Sequence, residues 1–138
     1  MQNLSRDYII GLIDGEGSFT VFLRDDGKYR RVEMHFFLKM QEEELPLLRS
    51  VKSFFGCGYI SFQKDKRRNH RNCYRYEVGS IKDLKEKVVP VCKGRLQSKK
   101  RKKDFEIFCR ILEKVERKEH LTEKGWNEIL KLKGYLHK

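Results

Sequence analysis

The chain has 138 residues, which suits one domain and suffices to bury a core without disulfides or a structural metal. Lys and Arg number 32 against 20 Asp and Glu, and the resulting net charge of +12 predicts a polyanionic partner such as DNA or RNA. Hydrophobic residues make up 38% of the chain, which argues against disorder, and no apolar run could span a bilayer. We therefore expect one globular domain over residues 1–138 and no membrane partner.

The amino terminus and the cysteines predict an intracellular protein. Residues 1–8 lack the apolar stretch of a signal peptide. Cys57, Cys73, Cys92 and Cys109 form no C-x-x-C pair, so the spacing favours reduced thiols over a zinc site. A cross-strand disulfide between Cys57 and Cys73 is the alternative. Cytoplasm, nucleus and organelle are not distinguished by these features.

The first part of the chain predicts a helix followed by two strands. Ser5 is a suitable N-cap for an almost wholly apolar helix, which Gly15 and Gly17 would stop. Apolar and polar residues then alternate over 18–24 and again over 30–41, which is the period of half-buried strands.

The rest of the chain predicts a second helix–hairpin unit and then further helices. Residues 42–55 carry an apolar stripe at helical spacing, and a hairpin follows over 59–79 around a basic loop. Ser80 caps a helix that Pro90 would end. Helices are also predicted over 98–117 and from Thr122 onward.

The two hairpins predict an antiparallel sheet with helices on one side and an open side facing solvent or a ligand. This is an α+β architecture. Basic runs at 64–72 and 93–103 contain a single acid between them, so we expect phosphate contacts there rather than ordinary solvated faces. On the open side Arg75 would point between two core tyrosines toward a base edge.

The segment IIGLIDGEGSF, residues 9–19, places two acids at the end of an apolar helix. A helix that is apolar nearly all round needs a partner, and Gly11 and Gly15 share one face where two backbones could approach closely. Asp14 and Glu16 offer carboxylates, which with backbone carbonyls are the hard oxygen ligands that Mg²⁺ prefers. The residues alone leave open a second interpretation, in which both acids are simply solvated in a turn.

This segment resembles the signature motif of the LAGLIDADG homing endonucleases, with residues 9–17 aligned on the motif. The stretch KMQEEELPLLRSVKSFFGCGYI resembles the family's strand-end glutamine, helix and Gly-x-Gly turn. RLQSKKRKKDFEIF resembles its basic segment, and HLTEKGWNEILKLKGYL its C-terminal helix, so the resemblance covers nearly the whole chain. It implies the αββαββα fold, with a saddle-shaped sheet on the major groove of DNA.

The resemblance also implies a metal site and a catalytic set. Glu16 matches the family's metal-binding acid, with a longer arm than aspartate, and the Gly15 carbonyl commonly shares the ion. Asp14 matches an acid with a structural role, and Gln41 a polar residue of the catalytic pocket. The implied cofactor is Mg²⁺, with Mn²⁺ or Ca²⁺ able to replace it for binding.

The implied lysine is Lys99, which would organise solvent near the scissile phosphate. Lys100 is the rival because the register inside SKKRKK is not fixed by the motif. The chain departs from the family pattern at Ile10, where the motif has alanine.

A single motif implies a homodimer, because the motif helix needs a partner helix. The predicted interface residues are Tyr8, Gly11, Leu12 and Gly15. The implied substrate is a long, pseudo-palindromic DNA duplex, cut in both strands by metal-dependent phosphodiester hydrolysis to leave 3′ overhangs.

The predicted DNA surface combines the open side of the sheet with the basic runs. Its residues are Ser18, Thr20, Phe22, Arg24, Tyr29, Arg30, Arg31, Glu33, His35, Lys39, Ser61, Gln63, Lys66, Arg67, Arg68, Arg71, Arg75, Glu77, Lys100 and Lys102.

Two other functions fit the same scaffold. One is an RNA-binding intron maturase, which would make intron RNA a further partner, and the other is a non-catalytic DNA-binding regulator. An intact acid at position 16 favours the nuclease, because a pure binder has no need of it.

Overall fold

The first elements of the fold follow one another almost without linkers. In the computed structural model, which describes residues 2–67 and 71–138, α1 (Arg6–Glu16) runs directly into β1 (Gly17–Asp25), and β2 (Arg30–Gln41) returns beside it. A 3₁₀ turn (Glu42–Glu44) leads into α2 (Leu45–Phe55), and β3 (Tyr59–Gln63) and β4 (Cys73–Val78) complete the sheet. These bounds confirm the predicted helix–strand–strand–helix–strand–strand order.

The sheet has four antiparallel strands in the order β1-β2-β4-β3, so the two hairpins meet through β2 and β4 in the middle. Gly17 pairs with Leu38 at the start of β1. Arg75 pairs with Lys39 on one side and with Ser61 on the other. Because side chains alternate between faces along a strand, this register fixes which residues share the open side.

The carboxyl-terminal half is helical. A helical segment begins as α3 (Ile81–Asp83), continues through a π-helical stretch (Leu84–Val88) and ends as α4 (Val89–Cys92). Then come α5 (Lys99–Glu116), a 3₁₀ turn (Glu119–Leu121) and α6 (Glu123–Lys133). The predicted N-caps Ser5 and Ser80 are confirmed, and Ser98 and Thr122, the predicted starts of the last two long helices, are N-caps as well. Each of these four side chains accepts a hydrogen bond from a backbone N–H three residues on.

The prediction that Pro90 ends its helix is wrong. Pro90 lies in the first turn of α4, directly after the π-helical stretch, where the Val89 N–H bonds to the Leu84 carbonyl. A proline lacks an N–H and its ring clashes with the preceding turn. In the wider π-helical turn each N–H bonds to the carbonyl five residues back instead of four. This shift accommodates Pro90, and the chain stays helical to Cys92.

The core lies between the sheet and the helices. The Phe19 ring packs 5.2–5.3 Å, centroid to centroid, from the rings of Phe36, Phe105 and Phe108, so β1, β2 and α5 meet there. The strand registers confirm the alternation predicted for both hairpins, and Phe62 and Glu77 are the two exceptions in burial. Phe62 points to the helix side but is 49% exposed at the edge strand, where it packs on Tyr74.

The four cysteines are free thiols, which excludes the alternative disulfide between Cys57 and Cys73 in this structure. Burial raises the pKa of Cys92 and of Cys109 to about 12, so both thiols stay protonated at neutral pH. Within residues 2–67 and 71–138, no helix is long and apolar enough to cross a membrane.

Candidate functional site

The end of α1 is fastened to the beginning of α5 through Asp14. Its carboxylate accepts hydrogen bonds from the backbone N–H of Gln97, at 2.9 and 3.1 Å, and of Ser98, at 3.1 Å. The Arg101 Nε donates to the Ile13 carbonyl at 3.1 Å, which reinforces the same junction. Asp14 therefore has the structural role that the resemblance implies. The contribution of Arg101 has no local signal in the sequence, because its partner lies 88 residues away.

Glu16 lies two residues beyond Asp14 and is exposed. Among the described residues, nothing gives its carboxylate a hydrogen bond or an ion pair. The next residue, Gly17, is buried. A Cβ atom on residue 17 would lie 2.8 Å from the carbonyl oxygen of Ile13 and 2.8 Å from the Cγ2 of Ile13. Only glycine permits this close approach, so Glu16 is held at a turn between helix and strand that has no linker.

The donor atoms at this turn suit a hard divalent cation. The Glu16 carboxylate and the neighbouring Gly15 carbonyl are oxygen ligands of the kind that Mg²⁺ and Ca²⁺ take. Nowhere in the described part of the chain do three or more His, Cys, Asp or Glu side chains gather to hold a metal. One chain therefore offers few of the ligands such an ion needs, and the remainder would have to come from water, DNA or a second copy.

The outward face of α1 is open in the single chain, and it is the face for which the sequence predicts a partner helix. Ile9, Ile10 and Ile13 are buried against the core. The opposite side carries Tyr8, Gly11, Leu12 and Gly15, of which Tyr8 is 48% exposed and Leu12 is half-buried. A Cβ built on either glycine would meet no atom within 4 Å. The predicted interface residues thus share one accessible stripe.

The predicted catalytic lysines lie at the start of α5. Lys99 and Lys100 are exposed, and both follow Ser98, whose N–H is bound to Asp14. Their position beside the end of α1 therefore follows from the Asp14 contacts. Lys102 is also exposed on this turn.

Gln41 is exposed at the end of β2. It lies three residues beyond Leu38, the strand partner of Gly17, which corresponds to about 10 Å along the strand. Its Oε1 accepts from Arg71 at 3.4 Å, and Arg71 also pairs with Glu43 at 2.5 Å. The register places Gln41 on the open side of the sheet, farther along β2 than the Glu16 turn.

Most of the predicted DNA contacts share the open side of the sheet. The register and the alternation bring together Ser18, Thr20, Phe22, Arg24, Arg31, Glu33, His35, Lys39, Ser61, Gln63, Arg75 and Glu77. The same alternation also places Phe37 and Tyr59 on the open side. Neither was among the predicted DNA contacts, although both pair with Glu77, which was.

Arg30 does not reach this side. Its guanidinium pairs with Glu123 at 2.8 Å and lies 5.3 Å from the Trp126 ring, both on α6. The hydrogen bond to Glu123 raises the pKa of Arg30. Even-numbered residues of β2 face the helices, and Arg30 is one of them. Its positive charge suggested a DNA contact, but its position in the strand directs the side chain toward α6.

The predicted DNA contacts in the turn and the loop differ in their exposure and in their ion pairs. Tyr29 is 64% exposed at the β1–β2 turn, and Lys66 is exposed. Arg67 pairs with Asp65 at 2.9 Å. Arg68 lies outside the described residues.

Glu77 occupies the middle of the open side and is buried. Its Oε1 lies 2.8 Å from the Arg75 Nη2, its Oε2 accepts from the Tyr59 hydroxyl, and the His35 Nδ1 lies 3.6 Å from Oε2. The hydrogen bond to Glu77 raises the pKa of Tyr59. Glu77 therefore engages its neighbours within the sheet, and its contact with DNA stays a prediction.

The sequence matches the model of the LAGLIDADG endonuclease family over residues 9–112. It is 31% identical over 132 residues to the probable intron-encoded endonuclease 3 of Neurospora crassa, covering 92% of this chain and 24% of that protein. The probable intron-encoded endonuclease 2 of the same organism is 30% identical over 94% of this chain and 27% of its own length. The chain thus spans about a quarter of these curated relatives.

Two solved structures share the fold. I-SmaMI bound to its uncleaved DNA target in the presence of calcium ions superposes with a TM-score of 0.85 and 31% identity, over 97% of this chain and 45% of that chain. The homing endonuclease I-TnaI superposes with a TM-score of 0.85 and 32% identity, over 99% of this chain and 90% of that one.

Proposed function

The chain belongs to the LAGLIDADG endonuclease family, and we propose that it is a homing endonuclease that makes double-strand breaks at a specific site in duplex DNA. The observation that carries the proposal is the position of Glu16. This exposed acid stands where the α1 stripe meets the sheet, beside the lysines of α5. Basic and polar side chains on the open side, such as Lys39 and Arg75, would lie in the major groove. The related I-SmaMI is bound to a DNA target in its solved structure, which supports DNA as the partner.

We further propose that two copies pair through the open stripe of α1. Gly11 and Gly15 leave room for a second backbone, and Tyr8 and Leu12 would bury apolar surface against it. I-TnaI is a chain of similar length, whereas the part of I-SmaMI that matches is less than half of its chain. A two-fold dimer would bring two Glu16 side chains near the axis and would favour a pseudo-palindromic target.

We propose Mg²⁺ as the cofactor, held by the Glu16 carboxylate and the Gly15 carbonyl, with Mn²⁺ or Ca²⁺ replacing it for binding. When bound, such an ion supplies Lewis-acid activation of water and neutralises charge at the scissile phosphate. Lys99, or Lys100 in the other register, would stabilise negative charge on the phosphate. Asp14 would hold these lysines beside Glu16 through the start of α5, and Gln41 would contribute a polar group to the pocket.

The test is cleavage by Glu16→Gln, which removes a carboxylate but no proposed DNA contact. We expect selection from a randomised duplex library to yield a site that the wild type cuts with Mg²⁺ and not with EDTA. Glu16→Gln should bind this site with nearly unchanged affinity and cut it no faster than the EDTA background. Glu106→Gln, an exposed acid on α5, is the matched control and should cut normally.

Strand scission by purified Glu16→Gln above the EDTA background would contradict the catalytic role of this residue. A wild type that binds the selected site but never cuts it with any of the three ions would instead identify a DNA-binding regulator on the same fold.

A further inference from the structure

A carboxylate is buried at the centre of the surface that would face DNA. Glu77 is 8% exposed, whereas the side chain of Arg75, two residues earlier on the same side of β4, is 26% exposed. A buried carboxylate is costly unless it is paired and hydrogen-bonded. Here it has three polar neighbours, namely Arg75, Tyr59 and His35.

Arg75 is fixed from two directions. Its Nη2 lies 2.8 Å from the Glu77 Oε1, and its guanidinium carbon lies 3.6 Å from the centroid of the Phe37 ring. The side chain remains 26% exposed, so part of the planar group faces outward. A free arginine loses substantial rotamer freedom when it is ordered, and here the Glu77 and Phe37 contacts within the sheet already order it.

His35 is seated against the end of β4 in a space that only Gly79 leaves open. A Cβ on residue 79 would lie 2.9 Å from the His35 Nδ1. Neither this nitrogen nor the Arg75 Nε has a hydrogen-bond partner among the described residues. Two buried polar atoms beside Glu77 therefore have no hydrogen-bond partner among the described residues, while both Glu77 oxygens have one.

We propose that Glu77 is a positioning residue for base recognition and does not itself contact a base. It holds the Arg75 guanidinium over Phe37 so that the outward N–H groups meet two acceptors, the O6 and N7 of a guanine, at one position of each half-site. Both carboxylate oxygens are already occupied within the sheet, and an exposed carboxylate would repel the phosphates of the duplex. This inference rests on the proposed function, because it takes the open side of the sheet as the DNA surface.

The experiment compares Glu77→Gln, Arg75→Ala and the double variant on the selected site and on all its single-base variants, with Ca²⁺ present to suppress cutting. We expect both single variants to lose discrimination at the same base pair, by about tenfold or more. The double variant should resemble Arg75→Ala alone, because one residue acts through the other. Glu106→Gln, which removes the same charge from an exposed position of α5 outside the proposed DNA surface, is the control and should leave every base preference intact.

Three results would overturn the inference. Glu77→Gln could alter a different base pair with additive effects, which would make Glu77 a direct reader. It could leave the base preferences unchanged, or it could lower only the unfolding temperature. Either of these two results would leave Glu77 with a structural role alone.

Glu77→Asp is the second test, and it replaces Glu77→Gln if that variant does not fold. It keeps the charge but withdraws the carboxylate from Arg75, so it must show the same loss of discrimination. A wild type with no base preference at all would refute the proposed function itself.

Discussion

Two acids separated by one residue have opposite surroundings at the end of α1. Asp14 is engaged by the backbone N–H groups of Gln97 and Ser98, whereas no described residue pairs with Glu16. The carboxylate of Asp14 satisfies donors at the start of α5, as an N-cap does. The anchoring role is thus separated from the proposed metal-binding role at the scale of single side chains.

We expect Asp14→Ala to lower the free energy of unfolding by about 1–2 kcal/mol, because two backbone donors lose a charged acceptor. Urea denaturation followed by circular dichroism measures this change. Glu106→Ala, on an exposed position of α5 with no such contact, is the control and should change stability by less than about 0.5 kcal/mol. Equal stability of the two variants would show that the Asp14 contacts do not hold the junction.

At the scale of elements, the alternation of 18–24 and 30–41 and the capping residues were enough to predict the strands and most helix starts. The motif resemblance located Glu16 and Asp14. Local patterns could not predict the helix that continues through Pro90, because the π-helical turn that accommodates it depends on packing. They also missed the partners of Arg30 and Glu77, which come from other elements and become neighbours only in the folded chain.

The open stripe of α1 gives an element-scale prediction. The sequence predicts that Gly11→Leu weakens both the dimer and the fold, but a Cβ at this position meets nothing within 4 Å in one chain. We now expect the variant to fold normally and to raise the dimer dissociation constant about tenfold or more, because two helices can no longer approach closely. Sedimentation equilibrium measures the dissociation constant.

Asn127→Leu places the same side chain on an exposed position of α6 and is the control for added surface hydrophobicity. It should leave the dissociation constant unchanged. A wild type that stays monomeric at micromolar concentrations, or a Gly11→Leu variant that dimerises as well as wild type, would refute pairing through α1.

At the scale of the whole molecule, the net charge of +12 would supply affinity for the proposed DNA partner without selecting a sequence. Several cations of the sheet and its loop already have acidic partners, as with Arg30, Arg67 and Arg71. The exposed lysines at the start of α5 lie in a stretch without acids. These are therefore the better candidates for phosphate contacts.

We expect Lys102→Ala to weaken binding to the selected site and to its single-base variants alike. The slope of log K against log salt concentration should fall in magnitude by about one unit, because one phosphate contact is lost. Titrations across a salt series measure both quantities. Lys82→Ala, an exposed lysine on α3, is the control and should leave the slope unchanged. A change in base preference with Lys102→Ala would contradict its assignment to phosphate.

The direct junction of α1 and β1 at Glu16 and Gly17 has an evolutionary consequence. The side chains proposed to recognise the target project from the sheet, whereas the acid proposed to cut it is carried by the helix. Substitutions on the open side of the sheet can therefore accumulate without moving Glu16 or the stripe around Gly11. Such a lineage could acquire new target sequences while the geometry of the proposed cleavage site is inherited unchanged.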